Sequence, residues 1–288
     1  MSEIIMKDYI AYWDKVIREW GKSSEVPESE KCWFSGEKSN LHSFLMPEPY
    51  WGNPADCTAV ILNYNPAGPK VSPLDKDYLK KLKDDTDLIT HAKNKDKSKL
   101  AGVATECYSN IALKYPWVES SKKHEYLLKD SYDWYSKRDK WSRNLLNYKS
   151  DKSPFMMELC GWHSAGWTIY DLTDKKEYIN KWVLPYFKKA IRNSQLGVGL
   201  SIGKQLGDKV LAELGFNDVT ENLGLKGKVT ADGWQPIAEV NRWYRVYCLD
   251  DSGKSIFVIN TWAKGSNRQP ADRFSIFEKQ LIEKLSKY

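Results

Sequence analysis

The apolar positions of the first twenty residues fall at helical spacing. Residues 5, 9, 12, 13, 16, 17 and 20 are apolar or aromatic, so the chain is expected to open with an amphipathic helix. Residues 47–57 (PEPYWGNPADC) are broken by Pro and Gly and read as a loop. Residues 58–62 (TAVIL) form a short apolar run between turn residues, which suits a strand buried on both faces. It ends at residues 63–69 (NYNPAGP). Residues 70–104 are polar and lysine-rich, and predict a solvated surface helix followed by a loop. Residues 122–148 read as a helix with interspersed Tyr and Trp.

A second buried strand is expected over residues 155–160 (FMMELC), with a loop beginning at Gly161-Trp162-His163-Ser164. The next helix is expected to be capped by Thr173 or Asp174 and kinked by Pro185. Its inward face would carry Tyr178, Ile179, Trp182, Val183, Tyr186, Phe187 and Ile191. Residues 196–202 (LGVGLSI) are a third strand, after which Gly203 turns the chain into a helix that Gly215 stops. Residues 243–249 and 255–260 predict a hairpin about the sequence DDSGK, with the second arm as a fourth core strand. Residues 261–270 (TWAKGSNRQP) read as a loop, and residues 271–286 as a closing amphipathic helix. Strands alternating with long helices imply a mostly parallel sheet. Ligands in such sheets bind beyond the carboxyl ends of the strands, which singles out the segments 63–70, 161–167 and 261–270.

Composition narrows the class. Of 288 residues, 41% are hydrophobic and 28% charged, enough for a large core under a solvated surface. No stretch approaches the ~20 apolar residues of a membrane span, and residues 3–20 are charged throughout, unlike a signal peptide. A cytoplasmic location without membrane attachment is the resulting expectation. The five cysteines (Cys32, Cys57, Cys107, Cys160, Cys248) are scattered, with no C-x-x-C pair, and read as reduced thiols. The four histidines (His42, His91, His124, His163) lack metal-binding spacing, so neither a metal nor another cofactor is expected. A net charge of +6 draws the chain toward polyanions. With 13 Trp and 17 Tyr, some aromatics must lie near the surface. Basic residues among exposed aromatics suit base stacking with phosphate attraction, and would equally serve carbohydrate or protein contacts.

The pieces over residues 47–286 together resemble the uracil-DNA glycosylase superfamily. Asn63-Tyr64-Asn65-Pro66-Ala67 is similar to the G-x-N-P-G motif of its mismatch-specific and single-strand-selective branches. Residues 155–160 resemble the strand F-x-x-N-x-C of the single-strand-selective branch, and residues 182–216 a shared helix, strand ending in Gly, and helix. Residues 261–270 sit where the family has an H-P-S-x-x-x-R-x-P loop. The resemblance implies one domain over residues 1–288, with 1–46 as a helical extension packed on it. It implies a three-layer α/β/α fold around a central, mostly parallel four-stranded sheet. The implied activity is cleavage of the N-glycosidic bond of a damaged, mismatched or modified base flipped out of DNA. The implied partner is DNA. The alternatives are a catalytically weak nucleic-acid or nucleotide-binding module, or a protein-interaction domain.

By that resemblance Asn65 is the counterpart of the asparagine that places the water; its alternative is an Asx-turn. Thr261 stands where many members have a leaving-base histidine. Tyr64, Glu158 and His163 would line the base site. Glu158 occupies the position of a base-reading asparagine. As an ionised carboxylate it only accepts, and would favour an amino group over uracil O4. Protonation would relax that preference; the alternative for Glu158 is a carboxylate paired with a nearby Arg or Lys. Trp262 would stack on a base or wedge into the duplex, or else pack on the core. Lys264, Ser266, Asn267 and Arg268 would contact phosphates.

Overall fold

The computed structural model describes residues 2–23, 25–35, 41–43, 47–64, 108–113, 138–146, 150–164, 172, 175–203, 205–220, 228–230, 233–235, 242–263, 281–283 and 285–286. Helix α1 (Ser2–Ser23) follows from the opening pattern: Tyr9, Trp13, Val16, Ile17 and Trp20 are buried in the same core as the sheet. A 3-10 turn (Glu28–Trp33) comes next. The segment expected to be a loop over 47–57 contains a short strand, β1 (Tyr50–Trp51). It pairs antiparallel with Met157 and Met156, and both its residues are buried. Pro and Gly around it masked a two-residue strand that carries no period of its own.

The central strands are β2 (Val60–Asn63), β3 (Phe155–Glu158), β4 (Gly199–Ile202) and β9 (Lys254–Ala263). Neighbours among them run parallel in the order β3-β2-β4-β9. The sheet is wider than the four strands read from the sequence. Among the described residues it has seven, with β1 on one edge and, on the other, β8 (Arg242–Asp251) and β5 (Asn217–Asp218), all antiparallel to their neighbours. A separate small hairpin joins β6 (Lys228–Thr230) to β7 (Gly233–Gln235). The β8–β9 hairpin is longer than expected because Ser252 and Gly253 both adopt positive φ (57° and 78°). That two-residue turn matches strand twist, so pairing runs on from Asp251–Lys254 to Arg242–Ala263.

Helix α2 (Tyr108–Ala112) and helix α3 (residues 138–145) are the helical parts described between β2 and β3. The single kinked helix expected after β3 is two helices, α4 (Lys176–Trp182) and α5 (Leu184–Asn193), meeting at Val183. Pro185 has no N–H to give to the preceding turn and stands at the second position of α5, where none is needed. Thr173 and Asp174 lie outside the described residues; the residue before α4 is Lys175, which makes no side-chain cap. Helix α5 lies over Gly199, where an added Cβ would stand 2.7 Å from Ile191 and 3.1 Å from Phe187. Helix α6 (Leu206–Leu211) is π-helical and follows Gly203 (φ 121°); Gly215 (φ 86°) reverses the chain after it. Residues 281–283 and 285 of the closing segment are helical, with Leu281 and Leu285 buried. No helix among the described residues is long and apolar enough to cross a membrane. Cys32, Cys57, Cys160 and Cys248 are free thiols.

Candidate functional site

β2 and β3 are apolar until their carboxyl ends, and each of the four parallel strands carries a polar residue at or near that end. Asn63 closes β2, Glu158 closes β3, Ser201 lies near the end of β4, and Asn260 and Thr261 lie near the end of β9. The register sets Asn63 beside Glu158, Ser201 beside Asn260, and Ile202 beside Thr261. Side chains alternate along a strand. Asn63, Glu158 and Thr261 therefore share one face with Ile202, and Ser201 and Asn260 share the other. All five polar residues are buried.

On the first face Asn63 Nδ2 donates to Glu158 Oε1 at 3.2 Å, while Glu158 Oε2 has no hydrogen-bond partner among the described residues. Burial pushes the Glu158 carboxyl up to about 8. The Arg138 guanidinium on α3, the Asn63 amide and His163 pull it down, and the Glu48 carboxylate pushes it further up. His163 Nε2 lies 3.6 Å from Glu48 Oε1. The loop that carries His163 is tied to the segment ahead of β1. His42 N–H donates to His163 O, Glu48 N–H to Gly161 O, and Glu158 N–H to Pro49 O. His163 is buried, and its ring lies beside the Glu48 carboxylate.

On the second face Ser201 Oγ donates to Asn260 Oδ1 at 2.7 Å. The Asn260 Nδ2 lies against Gly207, where an added Cβ would be 2.3 Å away. Tyr247 Oη and Arg245 Nη1 both donate to Asp208 Oδ1, at 3.4 and 2.8 Å. Burial pushes the Tyr64 phenol above its ordinary range, helped by the Asp208 carboxylate. Tyr64, half-buried, is thus on the side of α6, away from Glu158.

Thr261 is not a loop residue. It lies inside β9, between Ile202 of β4 and Tyr244 of β8, wholly buried, and its Oγ1 has no hydrogen-bond partner among the described residues. Trp262 is also in β9, opposite Trp243. The strand runs three residues past the boundary read from the sequence because β8 supplies a paired partner that far. The segment expected as a loop from residue 261 therefore starts no earlier than residue 264. Asn65, Lys264, Ser266, Asn267 and Arg268 lie outside the described residues.

Sequence reading missed Asn63, Glu48 and Arg138 as neighbours of Glu158. The signal for Asn63 was present: a polar residue closing an apolar run, as Glu158 closes the next one. Glu48 and Arg138 carried none, since both reach the site from distant segments. Among the described residues no three His, Cys, Asp or Glu gather as they would around a metal ion. Compared with family models, with curated proteins and with solved structures, the chain matches none.

Proposed function

We propose that the protein is a DNA glycosylase-like hydrolase, which holds a flipped damaged, mismatched or modified base at the carboxyl edge of its parallel strands and cleaves its N-glycosidic bond. The observation that carries the reading is the buried Asn63–Glu158 pair closing two neighbouring parallel strands. An amide and a carboxyl at this depth, with one carboxyl oxygen unmatched, suit the edge of a heterocyclic base. The uracil-DNA glycosylase-like arrangement is part of the same proposal: a three-layer domain around a four-stranded parallel core, with β1, β5 and β8 as additions. Asn65, two residues beyond Asn63, would orient the attacking water. Donors aimed at the departing base would lower the barrier by stabilising its negative charge. Lys264, Ser266, Asn267 and Arg268 would hold phosphates.

A panel of labelled oligonucleotides with different bases, incubated with the protein and then treated with alkali, tests the reading. Strand cleavage that disappears in Asn65→Ala is expected. Absence of cleavage at every base would refute the hydrolase. The burial of Thr261 inside a strand favours a second reading, a nucleic-acid-binding module without catalysis, because it removes that residue from the departing base. Salt-sensitive binding without cleavage is its signature.

A further inference from the structure

Of the tryptophans whose side chains are described, Trp13, Trp20, Trp33, Trp51, Trp141 and Trp162 are buried, and Trp182 at the end of α4 is partly exposed. Tyr12 of α1, also partly exposed, lies face to face with it, with ring centroids 3.8 Å apart and planes inclined by 16°. Tyr186 of α5 lies parallel to Trp182 as well, at 6.3 Å and 6°. Core rings such as Trp33 and Tyr178, or Tyr50 and Tyr108, meet edge-on instead. Tyr12 occupies one face of the Trp182 ring, so the Lys181 ammonium, 5.1 Å from the ring centroid, stands over the other. Among the described residues that outer face therefore meets an exposed cation. An exposed cation–π contact is weaker than the stacking of a base on the same ring.

Helical hydrogen bonds run through the joint at Val183, from Val183 N–H to Ile179 O and from Phe187 N–H to Val183 O. Helices α4 and α5 therefore present one side in common. On it Lys175, Trp182 and Lys189 recur every seven residues, about 10 Å apart. Over residues 175–192 the cations Lys175, Lys176, Lys181, Lys188, Lys189 and Arg192 stand against Glu177 alone. Lys176 pairs with Glu213, and Lys188 and Arg192 pair with Asp251. Lys175, Lys181 and Lys189 have no ion pair among the described residues. Asp8 of α1 stands near Tyr186 and disfavours a phosphate at that ring. An aromatic face bracketed by such cations matches the alternation of base and phosphate along a single strand. We propose that α1, α4 and α5 form a docking surface for single-stranded nucleic acid, on which Trp182 stacks a base and Lys175, Lys181 and Lys189 hold the flanking phosphates. The surface is built without the Asn63–Glu158 pair, and the proposal does not depend on hydrolysis.

Fluorescence polarisation of a labelled oligothymidylate of about twelve residues, titrated with the full-length protein at several salt concentrations, tests it. Trp182→Ala should weaken binding about tenfold or more, and Trp182→Phe, which keeps a ring on Tyr12, should restore most of the affinity. Lys175→Ala combined with Lys189→Ala should flatten the slope of log K against log salt by about 1.4, at roughly 0.7 for each phosphate on a single strand. Neither lysine is buried, so this variant reports on the surface even where Trp182→Ala does not fold. A wild-type protein that ignores the oligonucleotide overturns the proposal, as does an unaltered slope in the lysine variant. Polyglutamate that competes as well as the oligonucleotide at equal charge overturns it too, because it has no base to stack.

Discussion

Glu30 offers the sharpest test of the fold's energetics. Its side chain is fully buried in the 3-10 turn. Tyr12 of α1 donates to Oε1, and Trp162 of the loop after β3 donates Nε1–H to Oε2 at 3.0 Å. Burial pushes the carboxyl up from 4.5 to about 7, against the pull of these donors. The folded state therefore binds this proton more tightly than the unfolded chain does. The stabilisation is fully present below about pH 4.5 and is lost as pH rises to about 7. At 1.36 kcal/mol per pH unit, that interval amounts to about 3 kcal/mol. Glu30→Gln removes the titration while keeping the partners. Trp162 can only donate, so it fixes the new carbonyl; the new NH2 then meets the Tyr12 hydroxyl, which can accept. Urea unfolding of both proteins at pH 4 and pH 8 isolates Glu30, since Glu158 and every other group titrates in both. The wild-type stability minus that of Glu30→Gln should fall by about 3 kcal/mol from the lower pH to the higher. A difference constant to within about 0.5 kcal/mol would refute the reasoning.

Three further outcomes are expected. Gly207→Ala places a Cβ 2.3 Å from Asn260 Nδ2 and should cost about 1–3 kcal/mol. In an Asn260→Ala background thermal unfolding should show most of that cost gone, and an undiminished cost would clear Asn260 of the clash. Thr261→Val replaces a wholly buried hydroxyl that has no partner among the described residues; denaturation should find stability unchanged or raised by up to about 1 kcal/mol. Base binding should be unaffected, and its loss in a folded Thr261→Val protein would return Thr261 to the site. Lys264→Ala combined with Arg268→Ala should weaken DNA binding alike for all sequences and flatten the slope of log K against log salt by about 1.8. An unaltered slope would remove that segment from the phosphates.

The fold was legible wherever one residue type decided the geometry. The apolar runs VIL and FMM, each closed by a polar residue, gave β2 and β3, and Gly203 and Gly215 marked the turns around α6. Elements whose stability comes from a partner were not legible. β1 exists because Met156 and Met157 offer an open edge, and β5 because Tyr247 and Cys248 do. The extension of β9 through Thr261 and Trp262 has the same cause: ten residues of β8 hold it. Local sequence gave those two residues a loop, since Ala-Lys-Gly-Ser-Asn follows them. The site behaved likewise. Glu158 was identified by its position, but its protonation depends on burial beneath Arg138, Glu48 and Asn63, which no spacing along the chain reveals.

The residues read as an N-terminal extension are built into the candidate site. Trp162 and His163 follow Glu158 by four and five residues. The first is held by Glu30, and the second by the backbone of His42 and the carboxylate of Glu48. Gly161, just before them, admits Trp13 of α1: an added Cβ would stand 2.6 Å from Trp13 Cη2 and 3.1 Å from Pro49 Cβ. Gly161→Ala must therefore move either α1 or the loop. Trp13 is a wide, fully packed ring whose displacement opens a cavity, while the loop is tied at both ends by backbone hydrogen bonds. Whichever yields, the strain reaches Glu158 through its own N–H bond to Pro49 O, at 2.9 Å. Base preference and the docking of α1 should then change together in Gly161→Ala. Circular dichroism with nucleoside binding would detect this, and a shift in one without the other would separate the extension from the site.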